Sequence, residues 1–309
     1  ESSNFKSIIV DIHNSIKEGL EFSAALNKYP KIFSNLYIAI VRTGEDTGSL
    51  DASLLRVADY RAKQEEVLSR FRMALVYPVL MGIVGVATVI FMLVFVMPRL
   101  TGIFSSMGQN LPLPTQLLIA ISEGLRRWWF WIVIILTAFV LTVARFVKTK
   151  SGKAHMSLIQ LHFPVFGKFI LKAELARFSR TLELLLKSGI DALSAIHVSI
   201  PVLDNEVLKG VIDKSCKELE HGGSFGRSLK SSKLIPAFMS NLIIVGEESG
   251  RLQESLAEVA TSYERDTEEQ MRVMFSLLEP LMILVIGLIV GFIVVAMLLP
   301  VFEINVMAR

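Results

Sequence analysis

Gly44-Glu45-Asp46-Thr47-Gly48 returns 202 residues later as Gly246-Glu247-Glu248-Ser249-Gly250, and the flanking sequence repeats with it. Leu50, Leu54 and Ala58 become Leu252, Leu256 and Ala260, while Pro78 and Pro98 become Pro280 and Pro300. In both copies the two prolines bracket an apolar run. A pentapeptide alone carries little weight, but a long stretch kept in register and ending in the same punctuated segment is a duplication. The duplicated unit reads as soluble helices leading straight into a membrane span.

Working outward, the chain has 309 residues, 52% of them hydrophobic, and the apolar residues are concentrated. Residues 73–98, 128–144 and 280–302 contain no Asp, Glu, Lys or Arg. A hydrocarbon core of about 30 Å needs about 20 apolar residues at helical rise. The first and third runs satisfy this, and the 17 residues of the second sit at the lower limit. Trp128, Trp129 and Trp131 favour a span there, because amphipathic aromatics collect at the headgroup level. Three transmembrane helices are expected.

Their orientation follows from the basic residues. Arg56, Arg61, Lys63, Arg70 and Arg72 precede the first span; Arg145, Lys148, Lys150 and Lys153 follow the second; Arg265 and Arg272 precede the third. The other side holds Arg99, Arg126, Arg127 and Arg309. Eleven against four places both large polar regions in the cytoplasm by the positive-inside rule. The expected layout is a cytoplasmic domain (1–72), a span (73–98), an external loop (99–127), a span (128–144), a second cytoplasmic domain (145–276), a span (277–302) and an external tail (303–309). Gly102, Gly108, Pro112 and Pro114 mark the loop as irregular.

The polar regions read as helix throughout. Leu175, Phe178, Leu182, Leu185 and Leu186 recur at three- and four-residue steps. Gly189 is a stop signal, and Asp191 and Ser224 are candidate caps for the helices after them. Alternating patterns of strand type are absent. Ala173, on the helix that opens the second copy, maps ahead of residue 1, so some thirty residues of the first copy are expected to be missing. The fold class expected is therefore an all-α membrane protein. It has three transmembrane helices and two repeated cytoplasmic helical-bundle domains, the first truncated at its N-terminus.

Chemistry-bearing patterns are scarce. Cys216 is the only cysteine, which excludes an intrachain disulfide, and on a helix it reads as a small apolar filler. The five histidines lack metal-ligand spacing, and no phosphate-binding Gly-x-x-x-x-Gly-Lys-[Ser/Thr] loop exists. Gly222-Gly223-Ser224-Phe225-Gly226 fits the nucleophile pattern Gly-x-Ser-x-Gly, but a helix precedes it where the hydrolase elbow needs a strand. It reads as a turn and cap. A net charge of +3 gives no reason to expect nucleic acid. A transporter or channel would need polar groups meeting at mid-bilayer, and the spans offer only small hydroxyl residues such as Thr88 and Thr137.

The positions that stand out are motif residues. Glu45 and Glu247, set between Gly44 and Gly48 and between Gly246 and Gly250, read as helix-capping carboxylates, with Gly48 and Gly250 supplying backbone freedom. Glu279, before Pro280, lies at the mouth of the third span, where it either turns to interfacial water or meets a partner's helix. Its counterpart in the first copy is Tyr77, before Pro78, and both prolines predict a bend. Gly287-x-x-x-Gly291 has close-packing spacing, best used within this chain and otherwise as a dimer seam.

From Pro164-Val165-Phe166-Gly167 through Ala176-Arg177-Phe178-Ser179-Arg180-Thr181-Leu182 to Leu186-Lys187-Ser188-Gly189-Ile190, the chain resembles the type II secretion system F family. Both Gly-Glu-x-[Ser/Thr]-Gly segments match that family's signature. So does the close, Leu278-Glu279-Pro280, Gly287, Gly291-Phe292-Ile293-Val294 and Leu299-Pro300-Val301-Phe302. The resemblance covers almost the whole chain. It implies an inner-membrane platform protein of type II secretion or type IV pilus assembly, not an enzyme. Implied partners are a hexameric assembly ATPase, bitopic inner-membrane assembly proteins, a pilin or pseudopilin, and a second copy of the chain in a homodimer or higher homo-oligomer. No cofactor is implied generally, although in some relatives the glutamate matching Glu45 binds calcium.

Overall fold

Helical periodicity carries over from sequence to structure almost everywhere. The computed structural model describes residues 2–99, 112–163 and 166–307, and among these every regular element is a helix. Gly102 and Gly108 of the expected loop, and Pro164-Val165 of the family-like stretch, lie outside the described residues. In chain order the α-helices are α1 (Ser2–Lys17), α2 (Phe22–Asn27), α3 (Asn35–Asp46), α4 (Leu50–Phe91), α5 (Leu113–Lys148) and α6 (Lys150–His162). They continue as α7 (Phe166–Lys187), α8 (Ala192–Ser199), α9 (Glu206–Glu220), α10 (Phe225–Ser231), α11 (Ala237–Ser249) and α12 (Leu252–Met307). The chain divides into two units, Glu1–Val67 with Val147–Gln270, and Leu68–Phe146 with Met271–Arg309.

The first unit contains the polar helices of both copies. Their ends are set by local chemistry. Asp191 Oδ1 accepts the Ser194 amide at 2.9 Å and Ser224 Oγ accepts that of Arg227 at 3.2 Å, so each caps the helix it precedes. Gly48 and Gly250 both adopt φ +68°, the left-handed conformation that glycine reaches without steric cost. Behind them the Ser49 amide donates to Gly44 O and the Arg251 amide to Gly246 O, each at 2.8 Å, closing α3 and α11 in the same way. Gly44 and Gly246 are needed for a different reason: a Cβ on Gly246 would lie 2.6 Å from Ser255 Oγ and 3.0 Å from Leu252 Cα. The signature glycines thus close one helix and let the next cross it closely.

The main core of this unit draws on both copies. Phe178, Leu182 and Leu185 of α7, Leu208 and Ile212 of α9, and Leu256 of α12 are fully buried, and Leu36, Ile40 and Tyr60 from the first copy join them. Full burial of such a side chain contributes about 1.5–3 kcal/mol. Tyr60 Oη lies 3.0 Å from Thr181 Oγ1, so the buried phenol keeps a hydrogen-bond partner. Arg180 forks onto Glu264 at 2.9 and 2.7 Å and ties α7 to α12. A smaller core gathers Ile12, Ala25, Leu26, Ile38 and Val41 from α1, α2 and α3.

The second unit contains the apolar helix segments. Leu50–Arg99 and Leu252–Pro300 are each long and apolar enough to cross a membrane, and both run through their inner prolines, Pro78 and Pro280. The pair Leu113–Trp131 and Val133–Val147, bent by 55°, passes the same test only if taken as one span. Helix α5 starts at Leu113, so the later part of the expected irregular connection is helical. Pro114 does not prevent this, because in a first helical turn the missing N–H would have been unpaired anyway.

Two hydroxyls on α5 compensate for two prolines. Pro300 cannot donate to the carbonyl of Ala296, one turn earlier, and Thr115 Oγ1 donates to that carbonyl at 2.5 Å. Pro98 follows a π-helical turn, Met92–Val96, whose wider spacing would next require an N–H from residue 98 to Leu93 O. Ser122 Oγ donates to Leu93 O at 2.5 Å. An unpaired carbonyl in hydrocarbon costs several kcal/mol, so these bonds explain how both helices tolerate proline at those positions. The contact at Gly287 and Gly291 differs from expectation. A Cβ on either would meet nothing within 4 Å, whereas one on Gly85 would approach Ile286 Cγ1 to 2.9 Å. The close approach uses Gly85, and the α12 face carrying Gly287 and Gly291 is open.

Candidate functional site

Glu45 and Glu247 occupy the last turns of α3 and α11, and both reach to the start of a different helix. Glu45 Oε1 accepts the Phe22 amide at 2.5 Å and Oε2 the Ser23 amide at 2.8 Å, at the head of α2. Glu247 Oε1 accepts the Phe225 amide at 2.8 Å and Oε2 the Gly226 amide at 2.9 Å, at the head of α10. Ser224 adds a third bond, donating its hydroxyl to Glu247 Oε2 at 2.6 Å. A carboxylate at the end of its own helix faces the negative dipole end, and the positive end of the clamped helix compensates for this. Burial pushes the Glu45 carboxyl up, but the amide bonds from Ser23 and Phe22, with the Arg42 charge, outweigh it and hold the group below its ordinary value. Gly226 has its own requirement, since a Cβ there would come within 3.0 Å of Glu247 Oε2.

Glu279 lies in the membrane unit and is exposed. Tyr77 Oη donates to Glu279 Oε1 at 3.4 Å, so two positions equivalent by the repeat face each other across α4 and α12. At that length the bond is weak. Phe71 and Phe275 pack edge to face nearby, with centroids 5.7 Å apart.

The sequence matches the family described as "Type II secretion system (T2SS), protein F" over residues 1–98 and 178–300. This chain belongs to the type II secretion system F family. It is 34% identical over 305 residues to a type IV pilus assembly protein PilC of Thermus thermophilus, covering 98% of this chain and 75% of that one. It is 32% identical over 307 residues to a type IV pilus assembly protein TapC of Aeromonas hydrophila, with 99% and 74% covered. A type II secretion system protein F of Pseudomonas aeruginosa is 30% identical over 304 residues, with 98% and 75% covered. F-family membership and two long apolar helices make this an inner-membrane protein.

Within this F-family chain, the donors at Glu45 do not fit the calcium implied for some relatives. Both carboxylate oxygens accept amide N–H groups, which suit an anion and repel a cation, and a hard cation wants six to eight oxygens. Among the described residues, no cluster of three metal-ligating side chains includes Glu45. Ser224 likewise serves its helix: it caps α10 and donates to Glu247. The trio that does converge is His197, Cys216 and Glu220, which the sequence reading passed over. Sequence reasoning also missed the targets of the two glutamates. The available signal was Gly19-x-x-Phe22 against Gly222-x-x-Phe225, a repeat offset of 203 where the downstream motif keeps 202.

Proposed function

We propose that this F-family chain is the inner-membrane platform of a type II secretion or type IV pilus assembly machine. In this reading the helical regions of residues 1–72 and 145–276 face the cytoplasm. The segments 73–98, 128–144 and 277–302 span the bilayer, with 99–127 and the tail 303–309 outside. A hexameric assembly ATPase acts on the cytoplasmic helices, and the spans guide a pilin or pseudopilin out of the membrane. Bitopic assembly proteins and a second copy of the chain complete the base. The chain performs no catalysis; it transmits force.

The observation that supports this reading best is the shared core. Polar helices from both copies bury side chains in one unit, with Tyr60 and Thr181 bonded across 121 residues of sequence. A motor gripping such a body moves both copies together, and each copy continues into its own apolar helix. The glutamate clamps fit the same picture, since they lock short helices against long ones. Glu279 and Tyr77, at the cytoplasmic edge of the spans, are proposed to face an incoming pilin helix. The test is genetic and biochemical together. Deletion in the native host is expected to abolish either surface pili or export of secreted proteins, and cross-linking of the intact chain in membranes is expected to capture the assembly ATPase. Cells lacking the chain that still pilate and secrete normally would overturn the proposal.

A further inference from the structure

We propose that His197, Cys216 and Glu220 form a site for a borderline divalent transition metal, of which zinc is the natural occupant. The case begins with helix geometry. Cys216 and Glu220 are four residues apart on α9 and share a face, and α8 delivers His197 to that face. His197 Nδ1 lies 3.2 Å from Leu193 O, the carbonyl one turn earlier in its own helix. Donating there commits the Nδ1 proton and leaves Nε2 with a free lone pair, the arrangement that orients metal-binding histidines. Nε2 then lies 3.3 Å from Glu220 Oε1, and Cys216 Sγ lies 3.7 Å from Nδ1 and 3.9 Å from Nε2, so the thiol turns toward Nε2 to share an ion; one ligand atom from each residue falls within 4.8 Å of the others.

Those separations suit a tetrahedral ion. Zinc bonds of about 2.0–2.3 Å place neighbouring ligand atoms about 3.3–3.6 Å apart. The histidine–glutamate edge already has this length, and the histidine–cysteine edge exceeds it by a few tenths of an ångström. The partly exposed Glu220 side chain is free to close the third edge. One thiolate, one imidazole and one carboxylate select zinc-like ions over calcium or magnesium. The thiol is buried while His197 is open to solvent, so the ion is approached from the histidine side and water completes its coordination. Lys217, next to Cys216, is held by Asp213 at 2.7 Å, which keeps its cation engaged elsewhere. Binding would fasten α8 to α9 with a bond-like link added to their packing. The inference is independent of the platform reading.

The test uses the tag-free chain of 309 residues in detergent, stripped of metal and titrated with cobalt(II). Because Cys216 is the only cysteine, a thiolate-to-cobalt charge-transfer band can come from nowhere else. The expected result is such a band saturating at one cobalt per chain, displaced by zinc and absent in Cys216→Ser. His197→Ala and Glu220→Gln, both at exposed positions that tolerate substitution, are each expected to weaken binding at least about tenfold. Zinc is expected to raise the melting temperature of the wild type and not that of His197→Ala. Absence of the band at stoichiometric cobalt would overturn the proposal, as would a band that both of these variants leave unchanged.

Discussion

The two copies share a pattern and differ in what covers it. Leu208 and Ile212 of α9 are 0% exposed where α9 packs against α6 and α8, while the matching Phe5 and Ile9 of α1 are 55% and 46% exposed. Among the described residues, nothing lies over α1 in the way those helices lie over α9. The same holds downstream, where Leu256 is 0% exposed and its counterpart Leu54 is 42% exposed. The clamps follow suit, with three hydrogen bonds at Glu247 and two at Glu45. Equivalent sequence therefore meets different surroundings: among the described residues the apolar face of the second copy is covered and that of the first is open.

Breaking that asymmetry is most direct at the paired leucines. Leu256→Asp buries an uncompensated charge and is expected to cost more than about 4 kcal/mol, unfolding the helical unit. Leu54→Asp is expected to cost at most about 1 kcal/mol, because half-exposed positions accept a charge. Melting curves and limited proteolysis of both variants in this 309-residue chain measure the difference; equal losses would contradict the difference in burial. Next come the clamps. Glu247→Ala is expected to cost about 3 kcal/mol and Glu45→Ala about 2 kcal/mol, since hydrogen bonds to a charged group contribute about 1.5–3 kcal/mol and are not additive. A reversed order in denaturant titrations would show that burial of the surroundings does not decide clamp strength.

Two smaller effects sharpen the comparison. Thr115→Ala and Ser122→Ala each leave a proline-orphaned carbonyl unpaired, and each is expected to lower stability by about 1–2 kcal/mol in detergent. Replacing Pro300 or Pro98 with alanine in the same background is expected to recover part of the loss, because the restored N–H satisfies the carbonyl. The smallest effect is on acid stability. With its carboxyl held below 4.5, Glu45 ionises more readily in the folded chain than in the unfolded one. Its contribution is present above the unfolded value and fades as pH drops through the lower folded value. Glu45→Gln is expected to flatten the decline of the melting temperature between about pH 5 and 3; an unchanged slope would exclude a role for the clamp in it.

Much of the fold was legible because it rests on periodicity and punctuation. Gly48, Gly250, Gly189, Asp191 and Ser224 act within a few residues of themselves, so their roles can be read from the chain. What was illegible depends on distant partners. The reach of Glu45 to Phe22 and of Glu247 to Phe225 was hidden by a one-residue slip between the copies. No local pattern ties Ser122 or Thr115 to the carbonyls of Leu93 and Ala296, which come from other helices. The helical start at Leu113 was masked by Pro114, a residue that ends helices elsewhere and opens them in a first turn. Gly287-x-x-x-Gly291 makes no close contact within the described residues, which leaves the dimer seam as its remaining reading. His197 arrives at Cys216 from another helix, so no local motif announced it.

The central claim is that both copies fold as one body on the cytoplasmic side. Asp46 and Glu248 are equivalent by the repeat and both exposed, which makes them matched probes. Single cysteines at these positions, in a Cys216→Ser background, can be treated with a membrane-impermeant maleimide in intact cells and in inverted vesicles. The account predicts that both label in inverted vesicles and neither in intact cells. Labelling of one from each side would separate the copies across the bilayer and contradict it.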